Sequence, residues 1–143
     1  MSSKTNEAIV LDTHAWIDIA YGRTRMSKEG KRAVDRAANA GLLYVSAITP
    51  WEIAMLVRSG KLRIPAGALQ WIEEGLRVTK TIVSPIEPMV AVDAVELPAW
   101  DHSDPADRLI VATARALEAR LVTRDTAILD YAKQVRSVRI IEA

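Results

Sequence analysis

Residues 8–20 read AIVLDTHAWIDIA: a short apolar run closed by an aspartate, then a second apolar stretch of helical length. Ala8 to Asp12 suits a strand and Thr13 to Ala20 a helix, so the chain passes from strand to helix through a single acidic residue. The same alternation continues downstream. Strands are predicted at Ala8 to Asp12, Leu42 to Ala47, Thr81 to Ile86, Leu121 to Asp125 and Val138 to Ile141. Helices are predicted at about 13–20, 27–40, 50–59, 66–77, 87–96, 105–119 and 126–134, with Gly41 and Gly60 as stops. Strands joined by crossover helices build a parallel sheet, so the predicted class is α/β with about five parallel strands.

The 143 residues are enough for one domain, read here as residues 8–143 after a polar, flexible N-terminus of residues 1–7. Half the residues are apolar and 26% are charged, which excludes a disordered or collagen-like chain. The formal charge of +1 favours no class of partner, but it hides two opposed regions. Residues 23–36 hold six bases (Arg23, Arg25, Lys28, Lys31, Arg32, Arg36), whereas residues 81–107 carry six acids and no Lys or Arg. Without cysteine there is no disulfide, thiolate metal site or cysteine nucleophile, and two histidines (His14, His102) argue against a histidine-rich zinc site. The N-terminal residues have no apolar signal-like core, and no apolar run approaches the roughly 18 residues of a membrane span. The expectation is a cytoplasmic protein with no membrane partner.

Right-handed crossovers bring strand ends and helix starts together at the carboxyl edge of the sheet, where ligands bind. Four carboxylates are predicted there: Asp12 and Asp125 at the ends of the first and fourth strands, Glu52 and Asp107 in the first turns of helices. Clustered carboxylates repel one another until a hard divalent cation neutralises them, and Mg²⁺ or Mn²⁺ fits such a set best. Each of the four also fits a helix cap. Thr49, Pro50 and Glu52 read as N-cap, first-turn proline and capping-box acid, and Asp104, Pro105 and Asp107 repeat that layout. Asp107 shares its helix side with Ile110, Val111, Ala114 and Leu117, so it points inward, where an unpartnered acid is costly and a functional role is favoured. The orientation of Glu52 stays open, because Met55 and Leu56 share its side while Ile53 and Val57 form a second apolar sector.

Four strings, IVLDTHAWID, SAITPWEIAMLVRSGKL, HSDPADRLIVATA and LVTRD, occur in this order. Together they resemble the PIN-domain family, and within it the VapC-type toxin ribonucleases, from Ile9 to the C-terminus. The resemblance implies a three-layer α/β/α sandwich whose acids bind Mg²⁺ or Mn²⁺ and hydrolyse RNA, leaving 5′-phosphate and 3′-hydroxyl ends. It places the catalytic and metal-binding acids at Asp12, Glu52, Asp107 and Asp125. Thr13 and Thr123 match hydroxyl positions that support the acids. Asp104 matches the Asp-Pro of a subgroup, as does His102 in its loop, but Asp104 ranks below the four acids because a plain N-cap role explains it. A homodimer and a small antitoxin partner are also implied.

RNA needs cations outside an acidic pocket. Arg108 and Arg124, adjacent to proposed ligands, are the RNA-binding candidates, with segment 23–36 and the Arg58, Lys61, Arg63 cluster standing between an RNA contact and a plain solvated helix face. Trp16, Trp51, Trp71 and Trp100 read first as core, with base stacking open to Trp16 and Trp51. Two apolar sectors, Leu109 with Thr113 and Ala116, and Ile53 with Val57, are equally open to a partner or to other helices of the chain. A dehalogenase-like phosphatase would want an acid where His14 stands, and a phosphoacceptor domain would want paired acids at the first strand. The remaining alternative is a PIN-like module that binds RNA or protein without cutting.

Overall fold

A computed structural model of the chain describes residues 6–100 and 104–143. Its strands are β1 (Ile9–Leu11), β2 (Leu43–Ser46), β3 (Ile82–Ser84), β4 (Arg120–Thr123) and β5 (Arg139–Glu142). Between them run α1 (Thr13–Ala20), α2 (Lys28–Ala40), α3 (Ile48–Arg58), α4 (Ala68–Thr79), α5 (Pro88–Glu96), α6 (Pro105–Ala116) and α7 (Thr126–Val135). All strand pairs are parallel, in the order β3-β2-β1-β4-β5. The predicted α/β class with a five-stranded parallel sheet is therefore what the chain adopts.

Strand alternation divides the core between the two faces of the sheet. Ile9 and Leu11 join Leu43, Val45, Trp16, Val34, Ile53 and Ile72 on one side, while Val10 joins Leu121, Ile110, Val111, Ile128 and Tyr131 on the other. Burying each β1 residue completely on alternate faces accounts for the unbroken apolar run that marks this strand in the sequence. Gly75 of α4 is required by the first of these packings. A β-carbon there would meet the buried Trp16 ring at 2.8 Å.

The chain winds from β1 outward to β3, then returns to the other side of β1 for β4 and β5. Connections therefore leave β1 and β4 toward opposite edges, opening a crevice at their carboxyl ends. The register pairs Leu11 with Val122, which sets the next residues, Asp12 and Thr123, beside each other at the mouth of that crevice.

One expectation about helices is corrected, and one open alternative is decided. α3 starts at Ile48 rather than residue 50, with Ala47 as its N-cap and no side-chain cap bond, so Thr49 is not a cap and Glu52 is not its capping-box partner. The Ser46 hydroxyl takes the Ile48 N–H instead, at 3.1 Å, and Pro50 falls within the first turn, where its missing N–H costs nothing. Of the apolar sector of α6, Leu109 and Thr113 are covered from within the chain and Ala116 is exposed. Leu109 and Ala112 pack against Val90 and Ala94 of α5, and Arg115 pairs with Asp93 at 2.8 Å to tie the two helices together. Ile53 and Val57 likewise belong to the main core, leaving Trp51 and Met55 as the exposed apolar residues of α3. Trp51, 58% exposed, thereby departs from the core role expected of the tryptophans, whereas Trp16 and Trp100 keep it.

Candidate active site

Asp12, Glu52, Asp107 and Asp125 line one cavity of about 90 Å³, together with Thr13, His14, Asp104 and Ile110. Four different segments contribute: the β1–α1 junction, α3, the start of α6, and the β4–α7 junction. Larger surface grooves, among the described residues, gather no comparable set of acids.

Asp12 and Asp125 follow their strands and act as N-caps. Asp12 Oδ1 accepts the Ala15 N–H at 2.8 Å, and Asp125 Oδ1 accepts the Ile128 N–H at 3.1 Å. In each case the second oxygen of the carboxylate is not needed for capping, so capping and a role in the cavity are compatible at these two positions. Asp12 spends that second oxygen on Thr123, whose hydroxyl donates to Oδ2 while accepting the Asp125 N–H at 3.0 Å. One threonine thereby positions both acids. Thr13 serves Glu52 in the same way. Its single hydroxyl proton goes to Glu52 Oε1, so Thr49, 3.0 Å away and fully buried, is the donor to Thr13.

Asp107 differs from the other three. Its carboxylate accepts no hydrogen bond from any described residue. Burial pushes its pKa up to about 7, with further elevation from the charges of Asp104, Asp125, Glu52 and Asp12. Burial is also the main cause raising Asp12 and Glu52 above the ordinary carboxylate range, against the hydrogen bonds from Thr123 and Thr13 respectively. Asp104 is exposed and caps α6, accepting from Ala106 and Asp107 N–H at 2.9 and 3.3 Å, yet it also borders the cavity.

Desolvated Asp12, Glu52 and Asp107, the last without a donor, together with the exposed Asp125 beside them, match a hard divalent cation in charge and in ligand type. Among the described residues, no three acidic or histidine side chains are gathered closely enough to hold an ion by themselves. Mg²⁺ typically takes one or two carboxylates and fills its remaining positions with water and substrate oxygens. His14 borders the cavity from an exposed position; His102 lies outside the described residues.

The two arginines expected beside the acids have different settings. Arg108 turns back onto α5, donating to the carbonyls of Ala94 and Val95 at 3.1 and 3.3 Å. Arg124 pairs with Asp18 at 3.1 Å and remains half exposed. Thr49 and Asp18 are the residues that sequence reading missed. The signal for Asp18 was present: an acid inside the otherwise apolar AWIDIA helix, followed by the basic Arg23-Thr24-Arg25, has to be paired to be buried.

The PIN domain family model matches residues 9–134. The chain is 34% identical over 117 residues to Ribonuclease VapC22 of Mycobacterium tuberculosis, spanning 82% of this chain and 86% of that protein. Among solved structures it resembles VapBC2 from Rickettsia felis bound to a DNA fragment from its promoter, with a TM-score of 0.69 and 15% identity over 95% of this chain and 98% of that chain. It also resembles DNA-bound VapBC from Salmonella typhimurium, with a TM-score of 0.66 and 19% identity over 95% of this chain and 98% of that chain. At such identities the structural likeness speaks for the fold.

Proposed function

The chain belongs to the PIN-domain family, in its VapC-type branch, and on that premise we propose that it is a Mg²⁺- or Mn²⁺-dependent endoribonuclease, the toxin of a toxin–antitoxin pair. The observation that carries this reading is the convergence of Asp12, Glu52, Asp107 and Asp125 on one cavity, with Asp107 half-buried and without a hydrogen-bond donor among the described residues. A resting structural role would leave that carboxylate paired or at the surface.

In this reading the cation would sit among the four acids, one or two of them ligating it directly and the others acting through its bound water, and the two hydroxyl relays keep the acids in place. Thr123 fixes Asp12 and Asp125 relative to each other, and Thr13 fixes Glu52. Bound there, a Mg²⁺ or Mn²⁺ ion supplies activated water and neutralises charge on the scissile phosphate. The elevated pKa of Asp107 means that cation and proton compete for it, so the site is readiest for metal above neutral pH. The products expected are a 5′-phosphate and a 3′-hydroxyl.

The proposed partners are RNA, a second copy of the chain and a cognate antitoxin. Trp51 and Met55 on α3, with Met89, Val92 and Val95 on α5, are exposed apolar residues that support docking of protein on these helices. No helix among the described residues is long and apolar enough to cross a membrane.

The test is incubation of purified protein with total RNA in EDTA, then with Mg²⁺ or Mn²⁺ added back. Cleavage restored by either ion supports the reading. Full cleavage in EDTA contradicts the metal site, and RNA binding without cleavage under any ion favours the non-catalytic module.

A further inference from the structure

Asp18, on α1, is buried, yet each of its carboxylate oxygens holds a different arginine. Arg23 Nε lies 2.9 Å from Oδ1 and Arg124 lies 3.1 Å from Oδ2, while both guanidiniums keep more than half of their side-chain surface in solvent. Arg25 joins them around a groove of about 370 Å³. Three guanidiniums around one carboxylate leave an excess of two positive charges. The Arg23 guanidinium also sits over the Tyr21 ring, 4.9 Å from its centre, which restricts its orientation.

The place of this groove in the fold gives the excess charge a use. Arg124 lies between Thr123, which donates to Asp12, and Asp125, which borders the acidic cavity. Asp18 lies six residues beyond Asp12 on α1, about 9 Å along the helix axis. The basic groove thus neighbours the acidic cavity, Asp18 lying one helical turn beyond the cavity-lining His14 on α1. A strand of RNA whose scissile phosphate sits among the acids needs a cationic path for its flanking phosphates, and guanidiniums suit phosphate by shape as well as charge.

Resting on the nuclease reading above, we propose that Arg23, Arg25 and Arg124, gathered around Asp18, form a backbone-phosphate subsite that binds the RNA strand beside the cleavage site. Asp18 is a positioning residue that holds two of the guanidiniums at the groove. Arg25 has no ion-pair partner among the described residues, so its charge is free for substrate. The subsite contacts phosphates only, so it contributes affinity and register rather than base preference.

Arg25→Gln is the cleanest variant, because it removes a charge without orphaning Asp18. Its effect is read by cleavage kinetics on a single-stranded RNA, and by the salt dependence of RNA binding in the Asp107→Asn background. The expected result is a KM raised roughly three- to tenfold with kcat unchanged, and a binding slope against log salt reduced by about 0.7. Arg25→Lys should restore most of the affinity, and Arg23→Gln combined with Arg25→Gln should compound the loss. Unchanged KM and salt slope in Arg25→Gln, while the unsubstituted protein cleaves RNA, overturn this inference alone. The same holds if Arg25→Gln weakens only the complex with an acidic antitoxin segment. Absence of RNA cleavage by the unsubstituted protein overturns the nuclease reading and the subsite with it.

Discussion

The Thr123 hydroxyl donates to Asp12 across the β1–β4 pairing and at the same time accepts the backbone N–H of Asp125. Its position is fixed by the sheet register, so the two acids on either side of the crevice are located by strand pairing rather than by loop conformation. Replacing Thr123 with valine keeps the volume and removes both bonds. We expect Thr123→Val to lower metal affinity or activity about 10- to 100-fold, as is usual when a group supporting a ligand is lost, and Thr123→Ser to recover most of it. Metal titration of the two variants checks this. Equal affinity in Thr123→Val and the unsubstituted protein would remove the relay from the account.

The pH dependence of metal-free stability follows from Asp107. Its pKa is about 7 in the folded protein against 3.8 ordinarily, so between these values the folded state binds the extra proton. The associated stability is fully present below about pH 4 and is lost as pH rises through about 7. In EDTA, Tm should therefore fall between about pH 5 and 8, by a few degrees, on the order of 1 kcal/mol once solvent screening of this half-buried group is allowed for. Saturating Mg²⁺ should reduce that fall by displacing the proton. Asp107→Asn should raise the metal-free Tm at about pH 8 and leave it little changed at about pH 5. A flat profile in EDTA would contradict the electrostatic description.

Asp104 and Asp107 are separated by their hydrogen bonds. Asp104 caps α6 through two backbone N–H groups, and asparagine caps equally well. Asp104→Asn should keep the fold and lose less than about tenfold in activity. If it proves as inactive as Asp107→Asn, Asp104 belongs among the ligands.

Gly75→Ala should destabilise the fold by roughly 1–3 kcal/mol despite the higher helix propensity of alanine, because its β-carbon would meet the immobile Trp16 ring. Chemical denaturation measures the loss. A more stable variant would show that Trp16 has room to move.

Exposed Trp51 and Met55 on α3, and Met89, Val92 and Val95 on α5, predict association. Light scattering should give a dimer at micromolar concentration, and bound antitoxin should suppress cleavage. A monomer throughout that range would refute the dimer, and undiminished cleavage in the complex would refute inhibition.

Strands and helices were readable because burial on both faces makes β1, β2 and β4 nearly continuous apolar runs, and because Asp12, Gly41 and Asp104 punctuate the helices. The start of α3 was not. Thr49-Pro50 has the composition of a cap, but Thr49 is buried against Thr13, and the helix begins earlier on a Ser46 bond that its sequence does not announce. The four acids were legible as residues of one edge. The relays joining them were only partly so, since hydroxyl contacts such as Thr49 to Thr13 span 36 residues and depend on helix rotation that local pattern does not specify. Which apolar sectors remain exposed was also beyond local reading. The α6 sector could be assigned to α5 only once the two helices were seen to pack.

The most direct test of the central claim is single-turnover cleavage of an end-labelled RNA at saturating Mg²⁺ by the unsubstituted protein and by Asp107→Asn, with circular dichroism confirming that both are folded. The account predicts a loss of at least about 100-fold in Asp107→Asn, since a ligand charge is removed with side-chain size preserved. Cleavage by Asp107→Asn within about threefold of the unsubstituted rate would contradict it.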